Sequence, residues 1–143
     1  MVNALDKIQP KNKTQLRQLI NYAFKHNIYD LNFIDTSKIT DMYELFPCVA
    51  HNFNVSDWDV SNVINMGYTF YKCNVFTGKG LENWDVSKVK NMNYMFYNCK
   101  NFNCNLSDWD ISNMTRWKNI FCGCDKITIP NWYKKLYIVK NKI

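Results

Sequence analysis

The sequence lacks the short motifs on which most enzyme and cofactor sites depend. It contains no glycine-rich phosphate loop, no nucleophile elbow and no paired metal-ligand motif. His26 and His51 have no serine, cysteine or aspartate partner at a recognisable catalytic spacing. We therefore expect both histidines to be ordinary surface or cap residues. The sequence therefore predicts a protein that is not an enzyme and that needs no cofactor.

Membrane and export segments are lacking too. No apolar run is long enough to cross a bilayer, and residues 1–7 lack the basic-then-apolar order of a secretory signal. The sequence as written therefore predicts a cytoplasmic protein. A cell-surface or secreted location would require either that a leader peptide had been removed or that the protein used an export route without a leader peptide.

Acidic residues are scarce at the two ends, which supply the net charge of +6. Residues 1–34 and 126–143 are basic, whereas residues 35–125 hold eight Lys/Arg and ten Asp/Glu. A nucleic-acid site on the central segment would make that segment basic. We therefore expect no nucleic-acid partner and interpret the charged ends as polar caps.

The chain does contain one unit that occurs four times. When its serines are aligned, the units are spaced 24, 26 and 25 residues apart. The aligned columns are Ser37, Ser61, Ser87, Ser112; Asp35, Asp59, Asp85, Asp110; Phe46, Phe70, Phe96, Phe121; and Cys48, Cys73, Cys99, Cys124. This period is typical of repeat architectures, in which each unit buries its apolar face against its neighbours.

Within a unit, the pattern predicts a short strand followed by a helical turn. Apolar residues at relative positions 4 and 6 show the alternation of a strand with one buried face. Met and Phe four residues apart then share one face of a helix. The expected fold class is α/β: a short, right-handed leucine-rich-repeat-like solenoid of four units with a helical N-terminal cap.

The ends are predicted to close this solenoid. From Thr14 the apolar spacing indicates an amphipathic helix, with Asn12 or Thr14 as its N-cap. After Pro130 a second apolar segment follows, for which periodicity does not decide between helix and strand. The expected organisation is an N-terminal cap helix over residues 1–30, four repeats over 31–125, and a C-terminal cap with a basic tail over 126–143.

The run W-D-[VI]-S-[NK]-[VM], followed by N-M-x-x-x-F and a cysteine, resembles a known tandem repeat. It is similar to the repeat of BspA-like leucine-rich-repeat proteins, which are bacterial surface proteins and lipoproteins. The match covers about residues 31–125. The resemblance implies a solenoid used for protein binding and adhesion, with no catalytic residues.

The cysteine column is expected to be a reduced ladder in the core. Cys122 and Cys124 form the one close pair in the sequence, and the second pair that a structural zinc site requires is missing. We therefore expect no bound metal.

Two outward-facing sets of residues are candidates for partner binding. The predicted strand face carries Asp57, Asp59, Asn83, Asp85, Asp108 and Asp110. Stacked carboxylates repel one another, so each aspartate should accept hydrogen bonds from backbone N–H groups two or three residues on. The alternative is a cation or basic ligand held along the column. The second set, on or after the helical turns, is Tyr68, Tyr71, Tyr94 and Tyr97, with Tyr43 beside them.

These sets favour a non-enzymatic scaffold that recognises a protein partner, because tyrosine is enriched at interface hot spots. Packing between neighbouring turns would explain the tyrosines equally well. The alternative function is a carbohydrate-binding or cell-surface adhesin module whose aromatic and asparagine side chains hold sugar rings.

Overall fold

The computed structural model describes residues 7–46 and 48–141. Its regular elements are helix α1 (Lys13–Lys25), a single 3-10 turn (Leu81–Asn83) and helix α2 (Asn131–Asn141). No strand occurs in these residues, where β pairing is limited to isolated bridges. The predicted α/β leucine-rich-repeat solenoid is therefore wrong. Turns and loops make up most of the described chain.

Local hydrogen bonds explain why the predicted strands and helical turns do not form. Asp and Asn side chains accept the N–H group two residues on, an Asx turn that competes with both strand and helix. These acceptors include Asp59, Asp85, Asp110, Asn65 and Asn91. Positive φ angles at Tyr68 (57°) and Tyr94 (55°) also interrupt the segments predicted as helical turns.

Equivalent residues of consecutive repeats nevertheless contact one another. Three methionine N–H groups donate to a carbonyl of the following repeat at 2.8 Å: Met42 to Asn65, Met66 to Asn91 and Met92 to Arg116. Isolated parallel bridges join Asp41 to Asn65, Asn65 to Asn91 and Asn91 to Arg116. The repeat period therefore sets which residues meet, while each β pairing involves only a single residue on either side.

A column of parallel phenylalanine rings lies at the centre of the core. Phe46, Phe70, Phe96 and Phe121 have successive centroid distances of 5.5, 5.5 and 5.8 Å, and their planes differ by 3–4°. All four rings are buried, as the sequence predicts. Burial of large apolar rings is the dominant favourable term in folding, so this column is a main source of stability.

A tryptophan column ties each repeat to the one before it. The indole Nε1 groups donate to carbonyl oxygens at 2.8–3.1 Å: Trp58 to Leu31, Trp84 to Val55 and Trp109 to Leu81. Trp132 in α2 donates to Leu106 at 2.8 Å and so continues the column. Because a buried indole N–H requires an acceptor, these bonds fix the register and dock α2.

The predicted N-terminal helix is confirmed. It begins after Asn12, whose side chain accepts the N–H group of Gln15 at 3.0 Å. Leu16, Ile20 and Ala23 are its buried residues, spaced as one face of an amphipathic helix.

The C-terminal segment, undecided from periodicity, is helical over Asn131–Asn141. Tyr133 in its first turn is buried and meets the ring of Phe121 edge-on at 5.1 Å. Helix α2 thus covers the last ring of the phenylalanine column. Lys142 of the predicted basic tail and residues 1–6 lie outside the described residues.

Candidate binding surface

The aspartates of the repeat column make local hydrogen bonds. Each Oδ1 accepts the N–H group of the serine two residues on, at 2.9–3.0 Å: Asp59 from Ser61, Asp85 from Ser87 and Asp110 from Ser112. The Ser87 hydroxyl also donates to Asp85 at 2.6 Å. The hydroxyl bond, followed by the backbone bond, lowers the pKa of Asp85 below its usual value. The predicted Asx-type interaction is confirmed.

Asp57, Asn83 and Asp108 are exposed, as are the three aspartates above. No strand aligns these six side chains. Asp57 and Asp108 lie in turns, Asn83 ends the 3-10 turn, and the other three lie in irregular loop. In residues 7–46 and 48–141, no group of three or more His, Cys, Asp or Glu is arranged to hold a metal ion.

The candidate tyrosines come together with Tyr43 in one group, which we call the tyrosine cluster. Tyr68 stacks on Tyr94 at 4.9 Å and Tyr71 stacks on Tyr97 at 5.3 Å. Tilted and edge contacts of 5.3 and 5.6 Å join these two rows, and Tyr43 meets Tyr68 edge-on at 5.5 Å. All five residues are half-buried, so the cluster is a packed layer whose outer side faces solvent.

Backbone geometry places these rings. Tyr68 and Tyr94 lie in the left-handed region, which costs a non-glycine residue roughly 1 kcal/mol or more. Main-chain hydrogen bonds from both residues to the following repeat, at 2.9 and 2.8 Å, offset that cost. Gly67 leaves room for Tyr43, because a Cβ atom at Gly67 would lie 3.0 Å from the Tyr43 ring.

Three lysines flank the tyrosine cluster. The Nζ atoms of Lys13, Lys72 and Lys118 lie 5.8, 5.2 and 5.8 Å from the ring centroids of Tyr43, Tyr71 and Tyr94. A cation at this distance over a ring face is attracted to the π system. Sequence reasoning missed these lysines. Only Lys72 carried a signal, since it directly follows Tyr71 in the chain.

Desolvation accompanies the packing of the rings. Burial, followed by the neighbouring phenol of Tyr94, raises the pKa of Tyr68 above its usual value. The phenol is therefore neutral at physiological pH and can donate or accept a hydrogen bond.

The cysteine column holds three residues in register. Cys73, Cys99 and Cys124 donate their thiol groups to the carbonyls of Phe46, Phe70 and Phe96 at 2.8–2.9 Å. Burial raises the pKa of Cys73 to about 12. Cys48 is exposed and its place beside the core is taken by Val49, three residues after Phe46. The predicted four-membered core ladder is therefore wrong at Cys48. All six cysteines are free thiols.

The histidines are exposed, as predicted. His26 Nδ1 contacts the carbonyl of Tyr22 at 2.8 Å, and the His51 ring lies 4.9 Å from that of Tyr29. Both interactions belong to the N-terminal end of the molecule.

Within the described ranges, neither helix has the length and apolar character needed to span a membrane.

The chain thus carries four sequence repeats, and its surface combines a tyrosine cluster with flanking lysines. The family model described as "Mycoplasma protein of unknown function, DUF285" matches residues 14–132, and the chain belongs to this family. No curated protein and no solved structure gives a significant match. The likeness to BspA-like repeats stays a prediction.

Proposed function

We propose that this protein is a non-enzymatic binding protein that recognises a protein partner through the tyrosine cluster. The observation that carries the proposal is the packing of five half-exposed tyrosine rings into one layer. Tyrosine offers a large amphipathic contact area and loses little conformational entropy on binding. Neighbouring rings already hold each other in place, so the layer is pre-organised for contact.

The lysines around the cluster indicate the character of the partner. Lys72 and Lys118 are exposed, whereas Lys13 is paired with Asp41 at 2.8 Å. An apolar patch with exposed cations at its edge complements a surface with an apolar centre and acidic residues around it. We therefore expect binding to weaken as salt concentration rises.

The aspartate face is a weaker candidate for the partner site. Asp59, Asp85 and Asp110 already accept hydrogen bonds from their own turns. Those bonds give the residues a structural role without any ligand.

Carbohydrate binding also receives less support than protein binding. Sugar recognition by stacking uses an open ring face, but the rings of the Tyr68–Tyr94 and Tyr71–Tyr97 pairs have interplanar angles of 21° and 13° and lie face to face. One face of each ring is thereby occupied by its neighbour.

Site-specific photo-crosslinking tests the proposal. A photoreactive phenylalanine analogue replaces Tyr71 in one protein and Asp108 in another, and each is irradiated with extract from the producing cells. We expect a discrete protein adduct from position 71 and none from position 108. An adduct only from position 108, or binding in a glycan array that survives Tyr71→Ala, would argue against protein recognition by the cluster.

Affinity for the identified partner then gives the energetic test. Tyr71→Ala should weaken binding by about tenfold or more, as truncation of an interface hot spot does. Asp108→Ala, an equally drastic change on the other candidate set, should leave affinity within about twofold. Equal effects of the two changes would contradict the assignment.

A further inference from the structure

A cleft separates the fourth repeat from helix α2. It has a volume of about 190 Å³ and is lined by Trp117, Lys118, Asn119, Tyr137 and Lys140. Two of these residues are cationic, two are aromatic and none is acidic. Helix α2 also carries no acidic residue anywhere along its length. An anion is the ligand charge that such a lining favours.

Main-chain donors add to this lining. In the first three repeats, the residue at the left-handed position donates its N–H group to the following repeat: Glu44 to Gly67, Tyr68 to Asn93 and Tyr94 to Lys118. Asn119 is the fourth member of this column and also has a positive φ, of 51°. In the described residues helix α2 follows it in place of a further repeat, and its N–H group has no acceptor there.

The same holds for Trp117. Its counterparts Met42, Met66 and Met92 all donate to the next repeat, and within the described chain Trp117 does not. By register, both N–H groups point to the side of the fourth repeat on which α2 packs. The cleft is lined by these two residues, each with an unused donor, and by two lysines. Both residues are half-buried, and an N–H group without a protein acceptor can be satisfied by a bound acceptor.

Another copy of this chain is poorly suited to supply that acceptor. The carbonyls that a stacked copy would offer are those of Asp41 and Tyr43 in the first repeat, the equivalents of Asn65 and Gly67. Helix α1 packs beside them: Lys13 Nζ donates to the carbonyl of Tyr43 at 3.5 Å, and Arg17 Nη2 donates to the neighbouring carbonyl of Glu44 at 2.7 Å. A neutral carbonyl edge would also leave Lys118 and Lys140 without a counter-charge.

We propose that this cleft binds an oxyanion, the carboxylate or phosphate group of a small ligand. The amide groups of Trp117 and Asn119 donate to its oxygens, and Lys118 and Lys140 balance its charge. The rings of Trp117 and Tyr137 form the side walls and contact the apolar part of the ligand. The site is separate from the protein-binding role proposed above, although Lys118 borders both.

Amide NMR titration of the whole protein tests this site directly. Inorganic phosphate, phenyl phosphate and benzoate are added separately, with ionic strength held constant by chloride because exposed charges are screened by salt. We expect saturable downfield amide shifts at Trp117 and Asn119. The amides of Glu44 and Tyr68, which already donate to carbonyls of other repeats, should stay unchanged and serve as internal references.

Lysine variants test the charge contribution. Lys118→Gln and Lys140→Gln should each raise the titration midpoint about fivefold, the value for loss of one close charge in a water-like dielectric. The matched control is Lys100→Gln, an exposed lysine of the repeat body. All three should leave the amide spectrum of the unliganded core unchanged.

The titration midpoints separate phosphate binding from carboxylate binding, and both from non-specific effects of added salt. The lower midpoint of phenyl phosphate or benzoate identifies the preferred oxyanion, and tighter binding of phenyl phosphate than inorganic phosphate supports the aromatic walls. Shifts that rise linearly without saturation, or that occur alike throughout the repeats, would overturn the proposal. So would midpoints that respond to Lys100→Gln as strongly as to Lys118→Gln.

Discussion

Replacement of Phe96 by alanine tests the assignment of the core. The Phe96 side chain is fully buried, with ring neighbours Phe70 at 5.5 Å, Phe121 at 5.8 Å and Phe102 at 4.1 Å. Loss of its apolar area costs about 2 kcal/mol. If most of the vacated volume, roughly 100 Å³, stays empty, the cavity adds about 2 kcal/mol at about 24 cal/mol per Å³. The free energy of unfolding should therefore fall by about 3–5 kcal/mol.

Urea unfolding monitored by tryptophan fluorescence measures this loss as a lower midpoint at unchanged slope. Lys100→Ala is the control, because Lys100 is exposed and should change stability by no more than about 0.5 kcal/mol. Equal losses for the two variants would refute the assignment of Phe96 to a closely packed column. A changed slope would indicate that the denatured or native state had altered as well.

The remaining predictions concern the aspartates and the thiols. Asp85→Asn should preserve stability, because its amide oxygen can accept the Ser87 bonds, whereas Asp85→Ala should cost about 1 kcal/mol in urea unfolding at pH 7. Since the folded-state pKa of Asp85 is lowered, its contribution is present above about pH 4 and lost as the pH falls further, and Asp85→Asn should show less acid sensitivity. In native protein, Cys48 and Cys122 should react rapidly with a thiol reagent and Cys73 only upon unfolding, as mass spectrometry of labelled peptides would show. Because burial raises the pKa of Cys73 from 9.0 to about 12, stability should fall as the pH rises above about 9, and a flat profile there would contradict its burial.

The repeat period predicted which residues meet, because equivalent side chains recur at nearly constant spacing. The phenylalanine column and helix α1 follow directly from apolar spacing. The secondary structure could not be predicted from the same spacing, because the alternation of apolar residues does not show whether a polar side chain accepts a hydrogen bond from a nearby N–H group. The Asp85 carboxylate does so at Ser87, and the chain turns where a strand was expected.

Cys48 shows the limit of alignment by residue type. Cys48 was placed with Cys73 because both are cysteines near a phenylalanine, but Cys73 lies three residues after Phe70 and Cys48 only two after Phe46. A shift of one residue moves a side chain from the core to the surface. A fixed count of three residues from the phenylalanine would have identified Val49 as the equivalent residue.

The tyrosine cluster was partly predictable from its sequence positions, and the lysines around it were not. Tyr71 and Tyr97 occupy the same place in their repeats and therefore stack. Lys118 approaches Tyr94 from a different position in the following repeat. Such a contact depends on the separation of adjacent repeats, which no single repeat encodes.

The two ends of the repeated segment differ in how their backbone hydrogen-bonding groups are paired. At the methionine and left-handed positions, N–H groups donate to the next repeat, so at these positions the first repeat leaves carbonyl groups over and the fourth leaves N–H groups over. Elsewhere the direction is reversed, as where the N–H groups of Lys90 and Thr115 donate to the preceding repeat. Lys13 of α1 supplies a donor to the carbonyl of Tyr43 at the first edge. Helix α2 covers the last ring with Tyr133 but brings lysines, which cannot accept hydrogen bonds, to the other edge. The N–H groups of Trp117 and Asn119, without an acceptor in the described chain and beside a basic helix, are therefore open to an acceptor from outside it, which is the physical reason for the oxyanion cleft proposed at this edge.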